Sequence, residues 1–324
     1  MTRLASPVSW FLLAVLGAVL PACSSTPRES ETTAPFSPEA QQDGPEFSTD
    51  EGIRLIRSTE RNVKHHSELM LQGKTQQMVA LRRAVGRTVD DNFQTFEDTA
   101  LKSEWVIHRN MAVKCIGFAV EERERAFQVL AQIAAEEDVT LVNNAALGMG
   151  MLRDKNIDLT ILIKLLAHGN VDVKTSAATS IREIWLLQET PRELTPEHWT
   201  TIDRLLGLLH ERRFARARRA AIWAFANLRH PDVLDHLVSA LKDEDEYVQI
   251  GGLVGLERLG DQRGLEPILV YLEEGPTTSG VSYARKALVA IAVQAGFAKT
   301  PSECDVLGDN PRTWRQWIGV KRMG

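Results

Sequence analysis

Residues 230–261 read HPDVLDHLVSALKDEDEYVQIGGLVGLERLGD. Leu234, Leu237 and Leu241 recur at helical spacing, Pro231 stands where a first helical turn accepts proline, and Asp243 to Glu246 interrupt the apolar pattern. A second helical run begins at Val248. It carries Gly251, Gly252 and Gly255, although each glycine costs a helix interior about 1 kcal/mol relative to alanine. Three in one short helix need a reason, and the rest of the chain supplies it for two of them.

The second half of this stretch recurs. The segments starting at His108, Leu141, Val173, Ala217, Val248 and Tyr283 are 33, 32, 44, 31 and 35 residues apart. Four residues on stand Ala112, Ala145, Ala177, Ala221, Gly252 and Ala287; seven on stand Cys115, Gly148, Ser180, Ala224, Gly255 and Ala290. These two columns are always small. Eight on, the residue is always bulky and apolar: Ile116, Met149, Ile181, Phe225, Leu256 and Ile291. Positions four and seven share a helix face, so small residues there admit a close neighbour while the bulky column fills the space beside it. Gly252 and Gly255 belong to the small columns. Gly251 belongs to none, and a local kink is expected there. The long 44-residue interval contains an insertion, LLQETPRELTPEHW.

A leucine-rich stripe precedes each such helix: Phe127/Leu130/Ile133, Leu159/Ile163/Leu166, Ile202/Leu205/Leu209, Leu234/Leu237/Leu241 and Leu265/Ile268/Leu272. Helix pairs of this period, each unable to bury its apolar face alone, stack into an α-solenoid. Strand signals and hairpin turns are almost absent. Thr195, Thr300 and Asn310 each precede a proline as helix N-caps do. The pattern resembles HEAT-like repeats, in particular the short bacterial kind seen in phycobilin-lyase-related proteins; the Trp/Gly/Tyr/Pro pattern of TPR is missing. The resemblance implies an all-α fold, a right-handed α-solenoid of HEAT-like helix pairs, over residues 100–296. Residues 51–99 carry two further stripes, Ile53/Ile56/Val63/Met70 and Leu81/Val85/Val89/Phe93, and read as a helical cap or degenerate repeat. Residues 297–324 read as the closing cap. Their Asp309-x-x-x-x-Trp314-x-x-Trp317 spacing resembles a segment that ends some bacterial HEAT-repeat proteins, and both indoles are expected to close the last core.

The amino-terminal end is of another kind. Arg3 precedes a 13-residue apolar run, Val8 to Leu20, too short to span a bilayer and suited to a signal-peptide core. The run ends Leu20-Pro21-Ala22-Cys23, which resembles the lipobox of bacterial lipoproteins, with Pro21 departing from the usual small residue. That resemblance implies removal of residues 1–22 and acylation of Cys23. More than one acyl chain holds a protein on a membrane. Ser24, where an aspartate would signal retention, implies the outer membrane of the cell envelope, facing the periplasm or the cell surface. Residues 23–50 form an acidic, proline-rich linker: four prolines and six acidic residues within 24–50 leave too little apolar surface to fold.

Signals for chemistry are few. HERRF (210–214) lacks the second histidine of a zinc-protease helix, His65-His66 diverge on a helix, GMGML (148–152) lacks a third glycine, and DEDE (243–246) lacks the glycine and distal glutamate of a calcium loop. DEDE suits helix capping instead. No metal and no cofactor is expected. Cys115 and Cys304 read as structural.

What remains is a surface. The outward positions of the second helices hold Lys114, Asn143, Thr175, Thr179, Arg182, Arg219, Trp223 and Glu257, the expected inner wall of the stack, with Trp223 beside Arg219 either in the composition of an interface hot spot or buried between repeats by the turn of the solenoid. ERRFARARR (211–219) adds a candidate anionic patch at Arg212, Arg213 and Arg216; alternatively its arginines pair with the carboxylates of 243–246. The leading reading is a membrane-anchored, non-catalytic scaffold for a protein or peptide in the cell envelope. The alternatives are a chromophore-handling enzyme like the phycobilin lyases, which export disfavours, and an arginine-mediated binder of an anionic polymer. The net charge of −5 disfavours nucleic acid.

Overall fold

The computed structural model describes residues 50–323; the leader, Cys23 and the linker up to residue 49 lie outside the described residues, and the lipid-attachment expectation with them. Among the described residues every regular element is helical, and no helix is long and apolar enough to cross a membrane. Two compact units meet between Glu122 and Arg123, a boundary inside the span read from sequence as repeats.

The first unit has four helices, α1 (Glu51–Leu71), α2 (Thr75–Asp91), α3 (Phe93–Lys102) and α4 (Val106–Ile116). Asp50 caps α1 by accepting from the Gly52 and Ile53 N–H groups. The stripe Leu81/Val85/Val89/Phe93 is not one helix: the chain breaks at Asn92 (φ −127°, ψ 25°), leaving Val85 and Val89 on α2 and Phe93 and Phe96 on α3. α3 then pairs with α4, while α1 packs on both α2 and α4. Gly86 lets α2 meet the chain after α4, since a Cβ there would stand 2.9 Å from the Phe118 carbonyl oxygen. Asp90 on the same helix accepts from the Val120, Glu121 and Glu122 N–H groups. Glu60 is buried and is held by Lys64 (3.1 Å) and Lys114 (3.4 Å).

The second unit is a solenoid of five helix pairs: α5 (Arg123–Ile133) with α6 (Val139–Met151), α7 (Thr160–Leu166) with α8 (Val171–Leu187), α9 (Pro196–Leu209) with α10 (Ala215–Leu228), α11 (Leu234–Ala240) with α12 (Glu246–Leu259), and α13 (Leu265–Glu273) with α14 (Thr278–Gln294). Helix α15 (Pro311–Met323) closes it against α13. Each second helix packs on the next, α6 to α8 to α10 to α12 to α14, whereas the first helices touch one another much less, so the second helices are the inner layer. The insertion lengthens α8 by a turn and adds the loop before α9, which starts in a capping box between Thr195 and His198. Asp245 and Asn310 cap the starts of α12 and α15. Thr300 makes no side-chain cap, and a short 3-10 segment, Pro301–Leu307, follows it.

The repeat columns are buried as their spacing requires. Ala112, Ala145, Ala177, Ala221 and Ala287, with all six bulky residues of the eighth column, are inaccessible to solvent; Ala290 alone in the small columns is half-buried. The small columns receive the first helix of the same pair. A Cβ on Gly148 would stand 3.0 Å from Leu130 Cδ2, and one on Gly252 would stand 2.7 Å from the Leu237 carbonyl oxygen. The leucine stripes slip by one residue in places: Ala126, Leu162, Leu208 and Leu269 are buried, while Phe127, Ile163, Leu209 and Leu272 are half-buried.

Stacking between pairs uses other small residues. A Cβ on Gly150 would stand 2.7 Å from Ser180 Cα, and one on Gly251 would stand 2.5 Å from Ile222 Cγ2. Gly251 therefore marks a close approach of α12 to α10 inside an unbroken helix, not the kink its column position suggested. At the far end Trp314 is fully buried and donates its Nε1–H to the Gly308 carbonyl (3.0 Å), with the half-buried Trp317 edge-on at 5.8 Å. Arg315 ties α15 to Glu266 and Glu273 of α13.

Candidate interaction surface on the second helices

In the second unit, direct packing of α6, α8, α10, α12 and α14 leaves their remaining side chains in one strip. Its amino-terminal part is a relay of short polar groups. The Ser176 hydroxyl donates to Asn143 Oδ1 at 2.7 Å, joining α8 to α6, and Ser180 donates to the Ala146 carbonyl at 2.6 Å. Thr175 and Thr179, both half-buried, satisfy their hydroxyls on their own helix through Val171 and Thr175 carbonyls.

Two of the expected contact residues are withdrawn from this surface. Trp223 is only 6% exposed, because the glycine at 251 lets α12 lie against its indole, with the Gly251 Cβ position 3.3 Å from Trp223 Nε1. Arg182 is also 6% exposed and spends its guanidinium on Glu183 (2.6–3.0 Å). Trp223 is thus a packing residue, and the aromatic that does face outward is Tyr247, 41% exposed. The Arg219 guanidinium lies 4.5 Å from the Tyr247 ring centroid and binds Asp245 through both Nε (2.7 Å) and Nη2 (2.5 Å). Lys114 belongs to the first unit, where Glu60 holds it.

The arginine run resolves along the same line. Arg218 is buried and donates to Asp243, Glu244 and the carbonyls of Glu211 and Arg212. Arg216 pairs with Asp172 of α8, and Arg219 with Asp245. Of the proposed patch, Arg212 and Arg213 are exposed and Arg216 is committed to a carboxylate of the protein. The pairing of this run with residues 243–246 is a physical necessity for Arg218, since a buried guanidinium without partners is strongly unfavourable.

Further along, a polar seam crosses three inner helices. Asn227, 4% exposed, donates to the Arg182 carbonyl (2.9 Å) and accepts from Arg258. Burial, with the nearby charges of Arg229 and Arg182, pushes the Arg258 guanidinium down to about 10, while neighbouring Glu257 opposes this. Burial also holds the Glu257 carboxyl above its ordinary value, against the lowering charges of Arg258 and Lys286. Asn227 and Tyr247 were not singled out from the sequence. Asn227 is the only strongly polar side chain in the run AAIWAFANL, which is a usable signal for a buried hydrogen-bonding post.

The insertion shapes an open cleft of about 330 Å³ lined by Lys155, Asn156, Asp158, Gln188, Glu197 and His198. Trp185, 2% exposed, stacks on His198 at 6.3 Å, and burial holds the His198 pKa below its ordinary value. Ile157 and Leu159 complete a lining that is mostly polar, whereas enclosed small-molecule sites are mostly apolar. Among the described residues no group of three His, Cys, Asp or Glu is placed to hold a metal ion. Burial raises the pKa of both Cys115 and Cys304, so neither is an activated thiolate.

The second unit is therefore a helix-pair repeat protein with a polar inner strip. Residues 202–289 match the family model described as HEAT repeats, which covers α9 through the middle of α14. No curated protein matches the chain. Among solved structures, an engineered protein is similar at 17% identity with a TM-score of 0.45, covering 61% of this chain and 97% of its own. YibA of Escherichia coli is similar at 16% identity with a TM-score of 0.49, covering 85% of this chain and 98% of its own.

Proposed function

We propose that this protein is a non-catalytic, membrane-anchored scaffold of the cell envelope that binds a protein or peptide along its inner helical layer. The observation that carries this reading is the continuity of that layer. Five second helices pack directly on one another, and their half-exposed side chains include Asn143, Thr175, Thr179 and Arg219, each fixed by an internal bond, beside the apolar Leu147 and Val289. Such a surface is pre-organised, which lowers the ordering cost of association. The binding centre is Arg219 with Tyr247: an arginine held by Asp245 and stacked on an exposed tyrosine has the composition of an interface anchor. Asn143, Thr175, Thr179 and Glu257 supply the polar surround.

Cross-linking on intact cells, with mass spectrometry of the captured species, tests this. A protein partner whose capture falls with Tyr247→Ala and Arg219→Glu supports the reading. Capture unchanged in both variants removes the site, and recovery of a coloured small molecule instead favours the lyase-like alternative. Trp223→Ala is not a test of binding, because that ring is packed inside.

A further inference from the structure

The insertion between α8 and α9 is fastened by hydrogen bonds at its two ends. At one end Gln188 donates through Nε2 to the Lys155 carbonyl (2.8 Å), and its own carbonyl accepts from Arg229 Nη2 (2.6 Å). At the other end stands the capping box of α9. The Thr195 N–H donates to His198 Nδ1 (3.2 Å), the His198 N–H donates to Thr195 Oγ1 (3.3 Å), and that oxygen lies 2.7 Å from the same Nδ1. Between the two ends, residues 189–194 make no hydrogen bond or ion pair with the described residues. A segment held only at its ends opens at the weaker one.

The two ends differ in chemistry. Neither Gln188 nor an arginine changes charge near neutral pH, whereas a capping box that usually closes on Glu or Gln closes here on histidine. A backbone N–H can only donate, so the bond from Thr195 requires an unprotonated Nδ1. A proton there sets two donors face to face and leaves the Thr195 N–H without its acceptor. The same ring is a lid. It lies over the Trp185 indole (6.3 Å, planes 23° apart), whose Nε1–H is buried with no acceptor among the described residues, and it forms part of the wall of the 330 Å³ cleft.

We propose that His198 is a pH-sensitive latch: in acid its ring leaves Thr195 and Trp185, which frees the insertion at its α9 end and opens the cleft on that side, while the Gln188 end stays fastened. The charges around the ring come from three places. Glu197 on α9 favours the proton; His230, after α10 and 3.6 Å from Asp232, opposes it; Lys155 and Asp158, between α6 and α7, line the same cleft. From α8 and its cap the ring meets Trp185 and Gln188, which carry no charge. Burial is the largest influence and holds the closed ring below its ordinary pKa of 6.5. The closed state is therefore favoured above that value and loses its advantage as pH falls below it. The latch goes beyond the scaffold reading and does not depend on the membrane anchor.

Nuclear magnetic resonance of the full chain, titrated from about pH 8 to about pH 5, is the test, since histidine changes charge in that range. The nitrogen-15 shift of His198 is expected to mark an unprotonated Nδ1 at the alkaline end. As the ring takes its proton, the Thr195 amide is expected to lose about fivefold in protection factor, which one ordinary hydrogen bond allows. The Trp185 Nε1–H is expected to begin exchanging with water over the same pH range, and the Gln188 amide is expected to stay as it was. His198→Gln supplies a capping acceptor that does not titrate, so both signals are expected to stay protected throughout. The wild-type titration stands without the variant, and equal melting of the two chains at the alkaline end shows that the substitution leaves the fold intact. If His198 titrates while Thr195 and Trp185 do not respond, Oγ1 has taken the new proton, the box stays shut, and the latch is overturned. An equal loss of protection in His198→Gln overturns it too, because the response then belongs to another group such as His230.

Discussion

Gly251 in α12 lies against Ile222 in α10 at a separation that leaves no room for a side chain: a Cβ would stand 2.5 Å from Ile222 Cγ2. Two effects oppose each other at such a site. Alanine favours a helix interior by about 1 kcal/mol, and overpacking a filled contact costs about 1–3 kcal/mol. What yields decides the sign. Gly252 faces the backbone carbonyl of Leu237 at 2.7 Å, which cannot move alone, so Gly252→Ala is expected to lose about 2 kcal/mol. Gly255 meets the methyl end of the Leu237 side chain, which can change rotamer, so its loss is smaller. Gly207, exposed in α9 with nothing within 4 Å, is the control: Gly207→Ala is expected to gain about 0.5–1 kcal/mol. Urea midpoints of the four variants, with Gly251→Ala between the 252 and 255 changes, check the order.

Arg218 stands within the stacking seam with four internal acceptors, and its side chain is 5% exposed. Removing one partner of a buried ion pair leaves the other uncompensated, so Arg218→Met is expected to cost about 2–3 kcal/mol. Arg218→Lys is expected to recover little, because an ammonium cannot reproduce the fork that reaches Asp243 and two carbonyls together. Arg213→Met, at an exposed position of the same run, is expected to leave stability unchanged. Chemical unfolding of the three variants measures this, and equal losses at 213 and 218 refute it.

Asp245 links capping and pairing, and its titration gives a pH test. Burial pushes its carboxyl up, but the bond and charge of Arg219 and the N–H groups of Val248 and Tyr247 together leave it below the ordinary value. A depressed carboxyl stabilises the fold fully above its unfolded pKa of about 4 and loses that contribution as pH falls through the lower folded value. Asp245→Asn keeps a capping side chain and removes the charge. The variant is expected to be less stable than wild type at pH 7, with the gap closing below about pH 4. Urea midpoints from pH 7 to pH 3 read it, and a gap independent of pH disproves the pairing.

The small and bulky columns were legible because they repeat: Ala177 and Ile181, for example, occupy the same places as Gly252 and Leu256. What was not legible is whatever occurs once. Gly251 faces a neighbouring pair, so its reason is Ile222, a residue in a different repeat. Trp223 sits at an outward position of an ideal stack, where the sequence left hot spot and burial open, and the absent side chain at 251 decides for burial. Arg218 shows the opposite case: the arginine run and DEDE were both visible, and opposite charge alone suggested their pairing. The break at Asn92 was hidden because Val89 and Phe93 keep helical spacing across it. The exposure of Trp105, Val106 and Ile107 was hidden because apolar residues in an apolar-rich chain announce nothing until they are placed.

Two arginines hold a backbone conformation that glycine takes elsewhere. Arg153 and Arg229 have φ near +52° and +53° at the ends of α6 and α10, whereas Gly260 and Gly296 stand at the corresponding ends of α12 and α14. For an L-residue that conformation costs roughly 1–2 kcal/mol. Arg153 is exposed, so Arg153→Gly is expected to relieve this cost and raise stability by about 1 kcal/mol, less what glycine adds in unfolded-chain entropy. Arg229 differs, because its guanidinium donates to the Gln188 carbonyl at 2.6 Å and so fastens α10 to the end of α8 beside the insertion. Arg229→Gly relieves the same backbone cost but leaves that carbonyl without its donor, so its net change is expected to be near zero or unfavourable. Thermal melts of the two variants side by side are the measurement. Equal gains at both positions would mean that the bond to Gln188 contributes nothing, and the insertion would then be held by the packing of Trp185 on His198 and by the bond from Gln188 to the Lys155 carbonyl.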